Sequence, residues 1–339
     1  MSQRRPPIAR RSLVALVCVL AIVAASCSKS DDDAAPVAPS TPPTTAPVTF
    51  PLTGRPIDDP AKAARAAVSV KIDNNSASRP QSGLEKADVI YEEFTEGITR
   101  FVVVFHSTDA ESIGPVRSVR PADPVIIYPL GGLFAFSGGS PAIKALVSGA
   151  PLKVVDEDQT DVLKRRSGRS APHNLYTASA GLFAKADNPK PPPKLGDFLA
   201  PGARFAGAGA TPITKVNLEA APGVTAQYDW DAAGGAWKRS TDGRPHSLEG
   251  GGQLAPNNVI VQFTPYSQFS GDRKVQYPEV LGTGEAFVFA AGMMVKGRWA
   301  KPNPNAVTAF TDSAGAPIVL PPGQTFVHLV APGSAVNPT

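Results

Sequence analysis

The second half of this sequence alternates short β-leaning runs with turn residues, and this alternation constrains the fold more than any other feature. The runs are rich in Val, Ile, Phe, Trp and Thr, whereas Gly, Pro, Asn and Asp separate them and favour tight turns. This pattern predicts a β-rich C-terminal domain over residues 205–333, with a sandwich or barrel-like architecture. The runs cover residues 211–218, 225–230, 236–239, 258–263, 286–289, 293–299, 306–310 and 325–330.

The first half mixes strand and helix signals. Apolar, β-rich runs occupy residues 68–72, 89–94 and 99–105, whereas Ser140-Pro141 pairs an N-cap with proline at the first helical position. We therefore predict a mixed α/β N-terminal domain over residues 50–190 and an α+β fold class overall. The proline-rich run that begins at residue 189 predicts a linker over residues 191–204.

The first 26 residues have the pattern of a secretory signal peptide. Four arginines precede an apolar stretch of about 13 residues, which is too short for a membrane-spanning helix of roughly 20. The small residues before Cys27 resemble the lipobox of bacterial lipoproteins, in which this cysteine is acylated, for example with palmitate. The alternative is ordinary cleavage nearby, with Cys27 as an unmodified thiol. The tract over residues 27–49 is rich in Ser, Asp, Ala, Pro and Thr, which favours a disordered tether.

Composition excludes several classes of function. The chain has 33 Lys and Arg and 29 Asp and Glu, so loss of the four arginines at residues 1–26 leaves it formally neutral. Net charge therefore gives no support for nucleic-acid binding. Both cysteines lie at or before residue 27, so the folded part has no disulfide, thiolate metal site or cysteine nucleophile. The four histidines are scattered singly, and we expect no metal and no cofactor.

Charged side chains cluster at the ends of the predicted strands between residues 68 and 123. The guanidinium forks of arginines bind carboxylate or phosphate groups, and the Ser-Gly-Gly-Ser-Pro turn at residues 137–141 can present backbone N–H groups. We therefore expect a candidate anion pocket. The alternative is internal pairing with Asp73, Glu92, Glu93, Glu96 and Asp123. The candidate pocket residues are Arg79, Arg100, Arg117, Arg120, Ser140 and His173.

An enzymatic function has weaker support in the sequence. The mature chain lacks the GxSxG, SxxK and KTG motifs of serine hydrolases, so a hydrolase or transferase would need a carboxylate with His106 or His173. Glu92 and Glu93 are neighbours on a strand and face opposite sides, so only one could enter a site. The catalytic residues stay unknown at this level.

Ordered motifs through most of the mature chain resemble the YerB-like bacterial lipoprotein family, whose two domains have no known function. They are KIDN at residues 71–74, RPQSGL at 79–84, GITR at 97–100, GPVRSVR at 114–120, SGGSP at 137–141, PHNLY at 172–176, WKR at 237–239, GRPH at 243–246, NNVIV at 257–261, GRW at 297–299 and GQT at 323–325.

The resemblance implies a two-domain lipoprotein on the outer, extracytoplasmic face of the bacterial cell membrane, and it supplies no catalytic residues. We expect the membrane to be a partner through the lipid on Cys27, together with cell-wall or other envelope components. The expected role is ligand binding or scaffolding, and the alternative is a hydrolase or transferase acting on wall polymers. The sequence does not indicate an oligomeric state.

Overall fold

The computed structural model describes residues 48–187 and 190–339. The predicted signal peptide, Cys27 and nearly all of the predicted tether lie outside the described residues. Residues 46–339 form one compact unit by their contacts. In the described ranges, no helix combines the length and apolar character that crossing a membrane requires.

Strands dominate both halves of the described chain. The first half contains β1 (Val68–Asp73), β2 (Val89–Thr95), β3 (Ile98–Phe105), β4 (Leu133–Ala135), β5 (Lys153–Val155), β6 (Lys164–Arg165) and β7 (Leu175–Tyr176). The second half contains β8 (Thr211–Pro212), β9 (Lys215–Ala221), β10 (Val224–Asp231), β11 (Ala236–Thr241), β12 (Arg244–Pro245), β13 (Asn258–Phe263), β14 (Tyr266–Phe269), β15 (Asp272–Pro278), β16 (Gly282–Ala290), β17 (Met293–Lys301), β18 (Ala309–Asp312), β19 (Thr325–Val330) and β20 (Val336–Pro338).

The helices of the described chain are short and lie in the first half. They are α1 (Pro60–Ala64), α2 (Asp123–Ile127), α3 (Pro141–Ser148) and α4 (Ser179–Lys185), with single 3₁₀ turns at Ser76–Ser78, Leu84–Lys86 and Tyr128–Leu130. Proline limits them: Pro129 has no N–H for an i→i−4 bond, and α2 gives way there to a 3₁₀ turn. The expected β-rich second half is therefore confirmed. The expected α/β mixture of the first half is supported only in part, because the chain as a whole is mostly β.

One mixed sheet of eleven strands runs through the described residues and takes strands from both halves. Its order is β18-β17-β16-β13-β19-β2-β3-β1-β4-β5, with β8 against β17. The two halves meet where β19 lies parallel to β2. A second sheet, in the order β12-β11-β10-β9-β20, has five strands in the described chain. The domain boundaries near residues 190 and 205 remain a prediction of the sequence.

Side chains on the two faces of the long sheet enter different hydrophobic clusters. On one face, Val102 and Ile260 pack in a cluster that also contains Ile127 of α2 and Val147 of α3. On the other face, Val261 packs against the five-stranded sheet. The alternation of strand residues therefore decides which layer each charged residue enters.

Candidate anion-binding site

The carboxyl end of β1 brings together charged residues from three segments. Asp73 lies opposite Arg100 in the antiparallel pair of β1 with β3. The loop over residues 114–121 runs beside the same strand, because the Asp73 N–H donates to the Pro115 carbonyl over 2.9 Å and the Arg117 N–H donates to the Lys71 carbonyl over 2.9 Å. Two prolines in this loop restrict its backbone, so Arg117 has a defined position.

Asp73 holds an arginine and a histidine through one carboxylate oxygen. The Arg117 Nε lies 3.1 Å from Asp73 Oδ2, and the His173 Nδ1 lies 2.6 Å from the same atom. The Asp73 side chain is fully buried, whereas the side chains of Arg117 and His173 are 19% and 21% exposed. Asp73 therefore orients two groups that are partly exposed to solvent.

Glu96 joins the other two arginines of this region. It lies in the tight β2–β3 turn at a φ of 51°, and its side chain is 34% exposed. The Arg100 Nη2 lies 3.1 Å from Glu96 Oε2, and Arg120 forms an ion pair with the same oxygen. The Arg120 backbone N–H donates to Asp123 Oδ2 over 2.6 Å, which fixes the loop at this point.

Arginines outnumber the carboxylates that they pair with here, and a further carboxylate, Asp123, lies beside the Arg120 backbone and pairs with Lys71. Arg100, Arg117 and Arg120, which we call the arginine cluster, face the two carboxylates of Asp73 and Glu96. Burial, together with the neighbouring Arg120, lowers the pKa of Arg100 to about 10, although Glu96 opposes this shift. The buried Nε atoms of Arg100 and Arg120 have no hydrogen-bond partner among the residues that the structure describes. Buried donors without a partner are uncommon, so these two atoms mark a place where the described chain leaves hydrogen bonds unmade.

The loop over residues 137–141 lies directly against the loop over residues 114–121, which carries Arg117 and Arg120. The Ser137 N–H donates to the Arg117 carbonyl over 2.8 Å, and the Val119 N–H donates to the Gly138 carbonyl over 3.1 Å. The Ser140 hydroxyl accepts from the Ile143 N–H over 3.4 Å, so it caps α3. Ser140 is thus near the arginine cluster in the fold, but its side chain serves the helix.

Arg79 lies in a different place from the other candidate arginines. Its Nη1 is 3.3 Å from Asp242 Oδ2, and its Nη2 donates to the Asn74 carbonyl over 3.0 Å. It lines a separate pocket of about 520 Å³ with Arg244 and His246. Among the predicted pocket residues, the structure therefore groups Arg100, Arg117, Arg120 and His173 and leaves Arg79 outside the group.

A fully buried ion-pair group lies on the same face of the sheet. The Lys71 ammonium pairs with Glu93 and lies 2.7 Å from Asp123 Oδ1, and the three side chains are at most 1% exposed. Burial raises the pKa of Glu93, and Asp123 adds to this effect against the attraction of Lys71. Glu93 and Asp123 therefore pair with Lys71 in the protein interior. The sequence signal was Lys71, a charged residue inside an apolar strand pattern.

The opposite face of the sheet carries a second buried polar network, which links the two sheets. The Arg239 Nη2 donates to Glu92 Oε2 over 2.9 Å, and the His328 Nδ1 lies 3.0 Å from that oxygen. The Tyr228 hydroxyl lies 2.8 Å from His328 Nε2 and 3.2 Å from Arg239 Nε. Sequence reasoning placed Glu92 and Glu93 on opposite faces but did not identify Arg239 or His328 as partners.

His106, the other histidine considered as a catalytic base, lies inside the protein, as do two tryptophans. His106 is buried, its Nε2 lies 3.1 Å from the Arg65 carbonyl, and burial and Arg65 lower its pKa to about 4. Trp237 and Trp299 are buried in the core. Within residues 48–187 and 190–339, no group of three or more His, Cys, Asp or Glu side chains is arranged to hold a metal ion.

Two family matches cover most of the described chain. Residues 52–191 match the N-terminal domain of DUF3048, a protein of unknown function, and residues 215–327 match the DUF3048 C-terminal domain. A curated Bacillus subtilis (strain 168) protein named "Putative lipoprotein YerB" is 29% identical over 328 residues, which is 94% of each chain.

The fold also resembles a solved structure. The crystal structure of YerB protein from Bacillus subtilis superposes with a TM-score of 0.72 at 22% sequence identity. The match covers 86% of this chain and 99% of that one. At this identity the likeness concerns the fold alone.

Proposed function

The chain belongs to the DUF3048 family of proteins of unknown function, and on that premise we propose that it is a lipid-anchored envelope protein that binds an anionic ligand at the arginine cluster. The anchor is Cys27, and the site faces the outside of the cell membrane. The lipoprotein name of the Bacillus subtilis relative supports the anchor. The protein acts as a binding or scaffolding module, with cell-wall or other envelope components as its partners.

The observation that carries the proposed site is the pair of partly exposed groups, Arg117 and His173, that the fully buried Asp73 carboxylate holds side by side. Three arginines share two acidic partners, and the buried Nε atoms of all three have no hydrogen bond in the described chain. A buried donor without a partner costs about 1–3 kcal/mol, so an anion that fills this place gains that energy. Arg117 and His173 are the accessible members and make the first contact.

The ligand is expected to carry phosphate or carboxylate groups. A guanidinium fork matches the spacing of two oxygens on either group, and charge-assisted hydrogen bonds are about twice as strong as neutral ones. Lipid phosphates and wall fragments with free carboxylates both present such groups at the outer membrane surface. A neutral glycan lacks them and serves as the negative control.

The binding test uses the purified chain from Ala46 onward, which corresponds to the compact unit. Isothermal titration calorimetry with inorganic phosphate, glycerol phosphate and a soluble wall fragment measures affinity at two salt concentrations. Arg117→Gln is expected to weaken binding about 10- to 100-fold, which corresponds to one charged hydrogen bond of about 1.5–3 kcal/mol. The matched control is Arg298→Gln, which removes an exposed arginine on β17.

Two results would contradict the proposed site. The first is that none of the anionic probes binds, at low or high salt. The second is that Arg117→Gln and Arg298→Gln weaken binding equally, because this would indicate non-specific attraction rather than a defined pocket.

The anchor is tested separately in bacterial cells that express the full chain. We expect the protein in the membrane fraction, and we expect Cys27→Ser to move it to the soluble extracytoplasmic fraction. Retention of Cys27→Ser in the membrane would refute the lipid anchor and leave the ligand site untouched.

The His173–Asp73 pair favours a second candidate function. Asp73 holds His173 Nδ1 at 2.6 Å, which is how a carboxylate orients a general base. In this candidate, an envelope hydrolase or transferase uses His173 as the base and the arginine cluster to hold the substrate. Product release from wall fragments that disappears in His173→Ala but not in His106→Ala would support this candidate over pure binding.

A further inference from the structure

Two members of the arginine cluster are covered by one carboxylate oxygen of the protein itself. The Arg100 Nη2 lies 3.1 Å from Glu96 Oε2, and the Arg120 Nη2 forms an ion pair with the same oxygen. The side chains of Arg100 and Arg120 are only 5% and 6% exposed, whereas the side chain of Glu96 is 34% exposed. The Glu96 carboxylate is therefore the part of this group that faces solvent.

The two guanidinium groups are held side by side by backbone as well as by Glu96. The Arg120 Nη1 donates to the Ser118 carbonyl over 3.3 Å and to the Val119 carbonyl over 2.7 Å. The Arg100 Nη1 donates to the same Ser118 carbonyl over 3.5 Å. Because these carbonyls belong to the loop over residues 114–121, the arginines keep their positions when the Glu96 side chain moves away.

Glu96 lies at the tip of the β2–β3 hairpin, in a backbone conformation that its side chain does not favour. The two turn residues, Glu96 and Gly97, have φ values of 51° and 81°, which Asn, Asp and Gly adopt more readily than Glu. Backbone strain of this kind often marks a functional side chain. A Cβ placed on Gly97 would have nothing within 4 Å, so the hairpin tip is open and leaves room for Glu96 to turn toward solvent.

The other carboxylates near the arginine cluster are enclosed by the protein. Their side chains are at most 1% exposed, and each pairs with a cation in the interior. They are Asp73, Glu93 and Asp123. Among the carboxylates of this group in residues 48–187 and 190–339, Glu96 is the one that solvent reaches, so it is the one that a ligand can replace.

We propose that Glu96 occupies the position of the ligand's anion, and that the site selects a phosphate over a carboxylate because the phosphate displaces Glu96. This inference rests on the proposed anion-binding function and narrows its ligand class. A ligand carboxylate would only exchange one carboxylate for another, and Glu96 has the advantage of being tethered beside the arginines. A phosphate monoester carries about −1.5 to −2 charges at pH 7 and three acceptor oxygens, so each guanidinium group gains an oxygen of its own.

The first test compares two anions on the unmodified protein. The chain from Ala46 onward is titrated calorimetrically, at one salt concentration, with glycerol phosphate and with glycerate, which carry a phosphate and a carboxylate on similar small polyols. Glycerol phosphate is expected to bind at least about tenfold tighter, because it makes the stronger charge-assisted hydrogen bonds. Equal or tighter binding of glycerate would overturn the selectivity and leave the proposed anion site standing. If neither probe binds, the proposed function and this proposal both fall.

The second test removes the internal competitor. Glu96→Gln removes only the charge and is expected to tighten glycerol phosphate binding about five- to tenfold, whereas Glu96→Gly removes the side chain, suits the positive φ and is expected to tighten it about 10- to 100-fold. The charge-matched control is Glu285→Gln, which removes an exposed carboxylate on β16. If the Glu96 variants bind no tighter than Glu285→Gln while the wild type binds, this proposal alone is overturned.

The third test measures the accessibility of the arginines and needs no ligand. Phenylglyoxal modifies guanidinium groups that solvent reaches, and mass spectrometry of the peptides identifies the modified residues. Glu96→Gly is expected to raise the modification rates of Arg100 and Arg120 severalfold and to leave that of the exposed Arg298 unchanged. Glycerol phosphate is expected to protect Arg100 and Arg120 in this variant. Unchanged rates would show that Glu96 does not cover the two arginines, and this would overturn the proposal even if phosphate binds.

Discussion

The buried pair of Glu92 and Arg239 offers the sharpest test of how the two sheets are held together. Glu92 is on β2 of the long sheet and Arg239 is on β11 of the five-stranded sheet. Their side chains are 1% and 0% exposed, and the Arg239 Nη2 donates to Glu92 Oε2 over 2.9 Å. The perturbation is Arg239→Met, which keeps the apolar length of the side chain and removes its charge.

The expected loss follows from burial. Removing one partner of a fully buried ion pair leaves an uncompensated charge and costs about 3–5 kcal/mol, whereas an exposed pair is worth about 0–1 kcal/mol. At about 2–4 °C per kcal/mol, the unfolding temperature is expected to fall by roughly 10 °C. The double variant Arg239→Met with Glu92→Gln removes both charges and is expected to be more stable than the single variant, because no buried carboxylate is left without its partner charge.

The control is Lys238, the residue that precedes Arg239 on the same strand. Lys238 is on the opposite face of β11, its side chain is 51% exposed, and its ammonium lies 2.8 Å from Asp231 Oδ2. Lys238→Met therefore breaks an ion pair in solvent and is expected to change the unfolding temperature by no more than about 4 °C. Thermal unfolding followed by circular dichroism measures all four proteins under the same conditions.

The pH dependence of the unfolding temperature gives a second test of the same pair. Burial alone would raise the pKa of Glu92, but the attraction of Arg239 and His328 more than offsets it, so the pKa lies below its usual range. A lowered pKa in the folded state gives stability that is present above the unfolded pKa of about 4.3 and is lost as the pH falls. Without Arg239 this contribution disappears, so the difference in unfolding temperature between wild type and Arg239→Met should narrow as the pH falls from about 5 toward about 2.

The reasoning is refuted if Arg239→Met costs no more than Lys238→Met at pH 7. It is also refuted if the double variant is no more stable than the single variant, because the cost would then come from lost packing rather than from an unpaired carboxylate.

Three further predictions concern single positions. Gly132→Ala is expected to cost clearly more stability than Gly97→Ala. Both glycines have φ near +80°, but a Cβ at residue 132 would lie 1.9 Å from a backbone oxygen, whereas a Cβ at residue 97 would have nothing within 4 Å. Equal losses of stability in thermal unfolding would contradict this prediction. Burial holds the pKa of His106 at about 4 in the folded protein, below the unfolded value of about 6.5, so stability is lost as the pH falls from about 6.5 to about 4. His106→Gln should therefore show a shallower fall in unfolding temperature between pH 7 and pH 4 than the wild type does. Ser140→Ala removes an N-cap and is expected to cost about 1 kcal/mol without changing phosphate affinity, and a loss of affinity would show that the hydroxyl contacts the ligand.

The candidate site was partly predictable because its residues carry local signals. Prolines around Arg117 predict a loop with a fixed course, and the turn before Arg100 predicts that it starts a strand. The sequence left two alternatives for the arginines, internal pairing or a free pocket. In the structure each of the three clustered arginines has a carboxylate partner, as the alternative of internal pairing predicts, and the anion pocket stays a prediction.

The assignment of Arg79 shows where local reasoning ends. Arg79 is only six residues from Asp73 and shares a motif-rich segment with the arginine cluster. The direction of the Arg79 side chain depends on the path that the backbone takes after β1, and its guanidinium group pairs with Asp242 in the second half of the chain. No property of residues 74–79 alone specifies that distant partner.

The sequence by itself determined the features that depend on neighbouring residues. These are the β-rich second half, the N-cap of α3 at Ser140, and the ordered motifs that place the chain in its family. Strand propensity, turn chemistry and helix capping act over a few residues, so they can be read directly from the chain.

Only the tertiary structure decided which charges meet and which strands join. Glu92 pairs with Arg239 across 147 positions of sequence, and Asp73 pairs with His173 across 100. The parallel contact of β2 with β19 unites both halves in one sheet. These contacts depend on strand order and register, and in a sheet a shift of one residue sends every side chain to the other face, so local sequence cannot specify them.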